Sequence, residues 1–302
     1  MSCTSVPFKS NNFTLAGNLF TPAGSSADSV YAAIVVAHPW GGVKEQTAGR
    51  YAKELSDNGF ITLAFDAAYQ GASTGEPRYL EDPRQRAEDV KAAVTYLSTL
   101  KNVDPKRVGA LGICASGGYV PFAAQTDLRI KAVATVSAAD VGSLLTRPFG
   151  GGPIKDDLAQ SLENAGQLRI AEAKGEAPHL SNIVPPTKPP AEFPDLYKEG
   201  YDYYRTSRGE HKNSANFFVT RSIDLIANYD SYAFNALISP RPLLMIAGTV
   251  ADTLYFSEDA IAKAKEPKEL FLIDGKTHVG LYDDTSISVP KLVDFMNKAL
   301  SG

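Results

Sequence analysis

Two scarcities narrow the reading before any motif does. The chain of 302 residues has only two cysteines, Cys3 and Cys114. One lies at the extreme N-terminus, so a disulfide framework is not expected. Histidine is nearly as rare, at His38, His179, His211 and His278. These are scattered, and neither cysteine has a partner ligand at finger spacing, so neither a metal nor a cofactor is expected. Basic residues are not in surplus, with 30 Lys and Arg against 34 Asp and Glu. That balance argues against a nucleic-acid footprint or an anionic membrane surface as partner. No run approaches the ~20 apolar residues of a membrane helix. The first residues, Met1-Ser-Cys-Thr-Ser-Val-Pro-Phe, show no charged region leading into an apolar one, so no signal peptide is expected. The expected setting is cytoplasmic and the expected partner a small molecule rather than a nucleic acid or a membrane, with the oligomeric state left open.

What is present is an alternation of apolar, β-branched runs with amphipathic ones. Strands are expected at Ser5–Lys9, Phe13–Phe20, Tyr31–Ala37, Phe60–Phe65, Arg107–Ile113, Ile130–Ser137, Arg241–Ala247 and Glu269–Ile273. Tyr31–Ala37 is almost wholly apolar, as a strand buried on both faces must be. Helices are expected over Val43–Asn58, Arg84–Leu100, Ala115–Thr126 and Val289–Leu300, the third bent by Pro121, which removes a backbone donor. Such alternation implies an α/β fold, a mostly parallel central sheet with helices on both faces. Residues 141–235 interrupt it. They carry Gly150-Gly-Gly-Pro, Pro185-Pro-Thr-Lys-Pro-Pro190 and a cluster of Tyr197, Tyr201, Tyr203 and Tyr204. A structureless loop of that length is uncommon in a compact domain. The segment is therefore expected to be an inserted lid, helical at Lys155–Lys174 and Ser214–Ala227, over a core made of residues 1–140 and 236–302.

The central motif is Gly109-Ala-Leu-Gly112-Ile-Cys114-Ala-Ser116-Gly-Gly118, which follows a strand and opens a helix. That is the setting of a nucleophile elbow, where small residues must flank a side chain presented on a sharp turn. Counting from Gly112 selects Cys114; counting from Gly118 selects Ser116. The apolar run ends at Ile113, which puts Cys114 on the turn and favours it. A helix N-terminus behind the thiol eases its ionisation. The N–H of Ala115 can hold a developing oxyanion. The second donor is expected from His38-Pro-Trp40-Gly41-Gly42, at Trp40 with Gly41 as the alternative, and the Trp40 indole is expected to line the acyl pocket.

In this arrangement the chain order is nucleophile, acid, base. Asp252 follows the strand Arg241–Ala247, and His278 is the one histidine after the last strand. The expected triad is thus Cys114, Asp252 and His278, with His278 as base and Asp252 fixing its tautomer. Tyr69, in the loop after Phe60–Phe65, is a candidate substrate-binding residue. Glu45 reads as a solvated helix charge rather than a partner of the thiol.

His-Pro-Trp-Gly-Gly-Val-Lys-Glu-Gln at 38–46, Phe-Asp-Ala-Ala-Tyr-Gln-Gly at 65–71, Gly-Ile-Cys-Ala-Ser-Gly-Gly-Tyr at 112–119, Ala-Asp-Thr-Leu-Tyr-Phe-Ser at 251–257 and Thr-His-Val-Gly-Leu-Tyr-Asp at 277–283 form one set. The set resembles the dienelactone-hydrolase-related branch of the α/β-hydrolases, and within it a bacterial and fungal group. Some fungal members of that group are associated with polyketide pathways as acyl transferases or thiohydrolases. The resemblance runs along nearly the whole chain and implies the same triad. It departs from the group's pattern at Ser116, where relatives commonly carry Gly.

Three functions compete: an acyl hydrolase acting on an ester, thioester or lactone through an acyl-cysteine, an acyl transferase using the same triad, and a non-catalytic binding protein on the same scaffold. A serine esterase using Ser116 is a variant of the first. The complete triad disfavours the third. A thiol nucleophile points toward activated acyl groups and away from amides, because the tetrahedral intermediate otherwise expels the thiolate again.

Overall fold

The computed structural model describes residues 1–25 and 29–301. An antiparallel hairpin, β1 (Ser2–Ser10) and β2 (Phe13–Thr21), begins the chain and turns at Asn11. Then come β3 (Tyr31–Ala37), α1 (Thr47–Asp57), β4 (Ile61–Phe65), α2 (Pro83–Ser98), β5 (Val103–Ile113), α3 (Ser116–Thr126) and β6 (Ile130–Val136). The segment that breaks the alternation supplies α4 (Val141–Thr146), α5 (Leu158–Ala173), β7 (Leu180–Asn182), α6 (Asp195–Tyr204), β8 (Phe217–Val219) and α7 (Ile223–Ile226). The alternation resumes with β9 (Leu243–Gly248), α8 (Leu254–Lys263), β10 (Lys268–Ile273), α9 (Gly280–Asp283) and α10 (Ser288–Ala299).

Eight strands form one sheet in the order β1-β2-β4-β3-β5-β6-β9-β10. It is parallel from β4 onward, while β2 runs antiparallel to both β1 and β4. Side chains on β3 divide by the strand's period of two. Ala33, Val35 and Ala37 join a core with α2, α3 and α8 on one face. Ala32, Ile34 and Val36 join a core with α1 and α10 on the other. The strand is apolar throughout because both of its faces are covered.

Two local expectations change. Residues 43–46 are turn rather than helix, because Gln46 Oε1 accepts from Val43 N at 3.1 Å and Lys44 N donates to Asp66 at 2.8 Å. The stretch expected as helix over Ser214–Ala227 begins instead with β8, which pairs antiparallel with β7. Phe217, Phe218 and Val219 are strand formers, and helix begins only after them. The helix expected at Lys155–Lys174 is α5. No helix among the described residues is long and apolar enough to cross a membrane.

Pro121 lies inside α3 and has no N–H to give the carbonyl four residues earlier. That carbonyl, on Gly117, accepts instead from the buried Tyr232 hydroxyl at 3.1 Å. Tyr232→Phe keeps the packing and leaves the carbonyl without this donor. It should cost about 1–3 kcal/mol of stability, read as a lowered urea midpoint with an unchanged m-value.

Candidate active site

Cys114 sits between β5 and α3 at φ +56°, a conformation that side-chain-bearing residues rarely adopt. The turn is fixed from both sides. Cys114 N donates to Val136 O on β6 at 3.1 Å, and its carbonyl accepts from Gly117 N at 2.7 Å and Ala139 N at 2.9 Å. Gly112 must lack a side chain, since a Cβ there would run into the Ser116 carbonyl.

Ser116 is the other residue the motif offered. It is buried, and its hydroxyl donates to the His38 carbonyl at 2.6 Å, leading away from the pocket. Arg86 Nη2 donates to the same carbonyl at 2.8 Å, while its guanidinium pairs with Glu81 and lies 5.0 Å from the Tyr119 ring centre. Together they pin the start of the His38–Gly42 loop. His38 is no base: burial and the neighbouring Arg86 hold its pKa well below the ordinary value, and its Nε2 accepts from Ala67 N. The loop continues through Gly41 at φ +72°, where a Cβ would approach Ile183 Cδ1 to 2.7 Å. Trp40 and Ala115 border the pocket beside Cys114, and their backbone N–H groups pull the thiol's pKa down against burial. Glu45 stands outside, paired with Lys44 at 2.8 Å.

His278 is buried after β10. Its carbonyl is held by Ser137 Oγ at 2.8 Å. Its ring nitrogens meet two hydroxyls, Thr253 Oγ1 at 2.6 Å from Nδ1 and Tyr282 Oη at 3.2 Å from Nε2. The expected Asp252–His278 hydrogen bond is not made. Asp252 Oδ2 accepts instead from Leu196 N at 2.9 Å, in the first turn of α6, and its Oδ1 is buried without a partner. The positive end of α6 is a favourable place for a carboxylate, and Thr253 occupies the imidazole face in its stead. Among the described residues no hydrogen bond joins Cys114 to His278; Tyr282, whose hydroxyl meets Nε2 of His278, lines the pocket together with Cys114. Sequence reasoning missed Tyr282 and Thr253. The signals were available: Tyr282 is four residues, about one helical turn, after His278, and Thr253 adjoins Asp252.

Burial disfavours charge on both the thiol and the imidazole. Burial pushes the Cys114 thiol above its ordinary value, against the pull of Tyr282 and the two N–H groups. Burial also lowers His278 to about 3. The pocket beside them has a volume of about 270 Å³. Trp40, Cys114, Ala139, Val279 and Tyr282 line it on the sheet side, and Leu144, Ile183, Leu196, Tyr197, Tyr204 and Phe218 on the side of the inserted segment. Among the described residues no Lys, Arg, Asp or Glu lines it. Trp40 packs edge-on to Phe218 with centroids 4.9 Å apart. Tyr69, expected to bind substrate, does not line this pocket. Its φ of +69° turns it against Phe13, with ring centroids 4.9 Å apart, in the layer packed on the hairpin.

A mostly parallel sheet with a strained residue between strand and helix, followed along the chain by a late histidine, defines an α/β-hydrolase. Residues 15–139 match the model of the dienelactone hydrolase family. Over 277 residues the chain is 37% identical to the uncharacterised protein YcjY of Escherichia coli strain K12, covering 91% of this chain and 90% of that one. The crystal structure of hypothetical protein PA2218 from Pseudomonas aeruginosa superposes with a TM-score of 0.93 at 33% identity, covering 99% of this chain and 94% of that one. A more distant relative is the thiohydrolase aneE of Aspergillus aculeatus, 25% identical over 256 residues, 82% of this chain and 79% of that one. The chain belongs to the dienelactone hydrolase family and is a hydrolase of ester-type bonds.

Two measurements probe this geometry. Because burial raises the Cys114 thiol's pKa, its alkylation by iodoacetamide, followed by peptide mapping, should keep accelerating as the pH rises well above neutrality. A plateau near neutrality would instead reveal an ion-paired thiolate. Ser116→Ala should keep Cys114 reactive and slow turnover roughly 3- to 10-fold, the worth of about 1 kcal/mol for one buried hydrogen bond on the Trp40 loop.

Proposed function

We propose that the protein cleaves activated esters or thioesters of uncharged, apolar acids through an acyl-cysteine at Cys114. The observation that carries this is a thiol at a strained strand-to-helix turn, facing two backbone N–H groups at the floor of a pocket without charged walls. Attack forms the S–C bond at the substrate carbonyl, and the thiol proton passes to the imidazole of His278. The carbonyl oxygen takes up charge between the N–H groups of Trp40 and Ala115, which act as the oxyanion hole. Collapse breaks the bond to the leaving group, which takes the proton. Water then adds to the acyl-cysteine with His278 as base, releasing the acid and the free thiol.

Thr253 orients the resting imidazole, and Asp252 is the carboxylate that balances the imidazolium, with Oδ1 free of any hydrogen bond. The indole of Trp40 and the residues of 141–235 that wall the pocket receive the acyl chain, the inserted segment acting as a lid. With that lid shut, the dry interior favours a second acceptor over water wherever an alcohol or amine reaches the acyl-enzyme. Acyl transfer is therefore the alternative outcome of the same chemistry.

The test is intact-protein mass spectrometry after brief exposure to a medium-chain acyl thioester, with peptide mapping. The acyl mass should appear on Cys114, vanish in Cys114→Ala, and persist longest in His278→Ala, where water lacks its base. An adduct on Ser116, or no adduct together with no turnover, overturns the assignment. A thioester bearing a free carboxylate on its acyl chain should react at least 10-fold more slowly, since no cation lines the pocket to offset its desolvation.

A further inference from the structure

One face of α5 is docked. Arg169 Nη2 donates to Asp224 at 2.8 Å and Arg221 Nε to Glu172 at 2.8 Å, pinning the helix against residues 220–226. Ala165 is buried on that side, with Leu158 and Leu168 half-buried beside it. A second face is apolar as well. Ala159, Leu162, Gly166, Ile170 and Ala173 succeed one another in steps of three or four residues, the spacing of one helix face. All five are exposed, Leu162 at 36% and Ile170 at 50%. A surface helix with one buried face ordinarily turns polar residues outward.

The stripe reads the same in both directions about Gly166. Turned end over end, it sets Leu162 against Ile170 and Ala159 against Ala173, with Gly166 facing its own copy. A Cβ built at Gly166 meets nothing within 4 Å, so a second backbone can approach there. The edge beside the stripe is self-complementary in the same register. Asp156, in the turn before the helix, Glu163, Gln167 and the C-cap residue Lys174 lie along it, all exposed. Antiparallel pairing brings Asp156 beside Lys174 of a second copy, and Glu163 beside Gln167. Parallel pairing would set like charges side by side. Lys155 is engaged elsewhere, its Nζ donating to the Leu145 carbonyl at 3.2 Å.

We propose that α5 is an interaction surface for a second copy of this chain, the two helices packing antiparallel across a two-fold axis at Gly166. The interface is isologous, the same patch meeting itself. Leu162 and Ile170 supply the apolar area withdrawn from water, and the charged edge fixes direction and register. The 16 residues of α5 span about 24 Å. One helix pair of that length covers less than the roughly 800 Å² per partner of a standard interface, so the dimer is weak and reversible.

The experiment is sedimentation equilibrium of the full chain from roughly 5 to 500 µM, the range suited to a weak interface. The wild-type average mass should climb from monomer toward dimer, and Leu162→Glu should stay monomeric throughout. Asp156→Lys should weaken association roughly 10-fold, and adding Lys174→Asp should restore it. In a Cys3→Ser background, mild oxidation of Gly166→Cys should give a disulfide-linked dimer, because residue 166 meets its own copy, while Gln160→Cys, outside the stripe, should not. A wild type monomeric over the whole range overturns the proposal. So does a dimer that survives Leu162→Glu, or one that crosslinks through Gln160→Cys as readily as through Gly166→Cys.

Discussion

The left-handed backbone of Cys114 costs about 1–2 kcal/mol for a residue with a Cβ, and the surrounding structure is arranged around holding it. Its N–H is spent on β6, its carbonyl on the first turn of α3 and on Ala139, and the strand before it offers Gly112 where any side chain would collide with the helix. Because the turn is tight, α3 begins at once, and its first residue, Ser116, reaches across to the His38 carbonyl. The Trp40 loop is thereby registered against the same turn that presents the sulfur. The end of β5, the start of α3 and the Trp40 loop are thus tied together by hydrogen bonds.

Charge is sorted around that unit. Arg86, Glu81, Lys44 and Asp66 are buried behind the loop, each in a pair, and fix backbone rather than face the pocket. On the pocket side, burial disfavours charge on both the thiol and the imidazole, and the imidazole meets the Tyr282 phenol. A desolvated ion pair would be costly before substrate arrives. In the proposed mechanism, deferring charge separation until a carbonyl is present puts it where the Trp40 and Ala115 N–H groups can stabilise it.

Much of this was legible in the sequence, and the reasons differ by residue. The sheet strands could be read because apolar runs such as Tyr31–Ala37 are required by burial on both faces. The turn at Cys114 could be read because the spacing from Gly112 is a steric demand. The Trp40 loop could be read because glycines cluster after a strand end. Tyr69 misled, since a loop at the correct sheet edge does not reveal which way a residue at positive φ will point. Asp252 was found as a carboxylate after β9, but its hydrogen bond goes to α6, a helix 56 residues earlier in the chain, and no local pattern encodes that contact. The helix expected at Ser214–Ala227 gave way to β8 because strand pairing with Leu180–Asn182 is non-local as well. Tyr282 was overlooked because its spacing of four residues from His278 suggests proximity but not that its hydroxyl meets the imidazole nitrogen.

Keeping the sulfur protonated has a consequence for survival under oxidative conditions. Peroxide reacts with thiolates, and the progression to sulfenic and then sulfinic acid starts from that form. In the proposed mechanism the sulfur gives up its proton only as a carbonyl is attacked and offers little to a passing oxidant, whereas an always-ionised cysteine would be consumed between turnovers. The burial that raises the thiol's pKa thus also works against its oxidation.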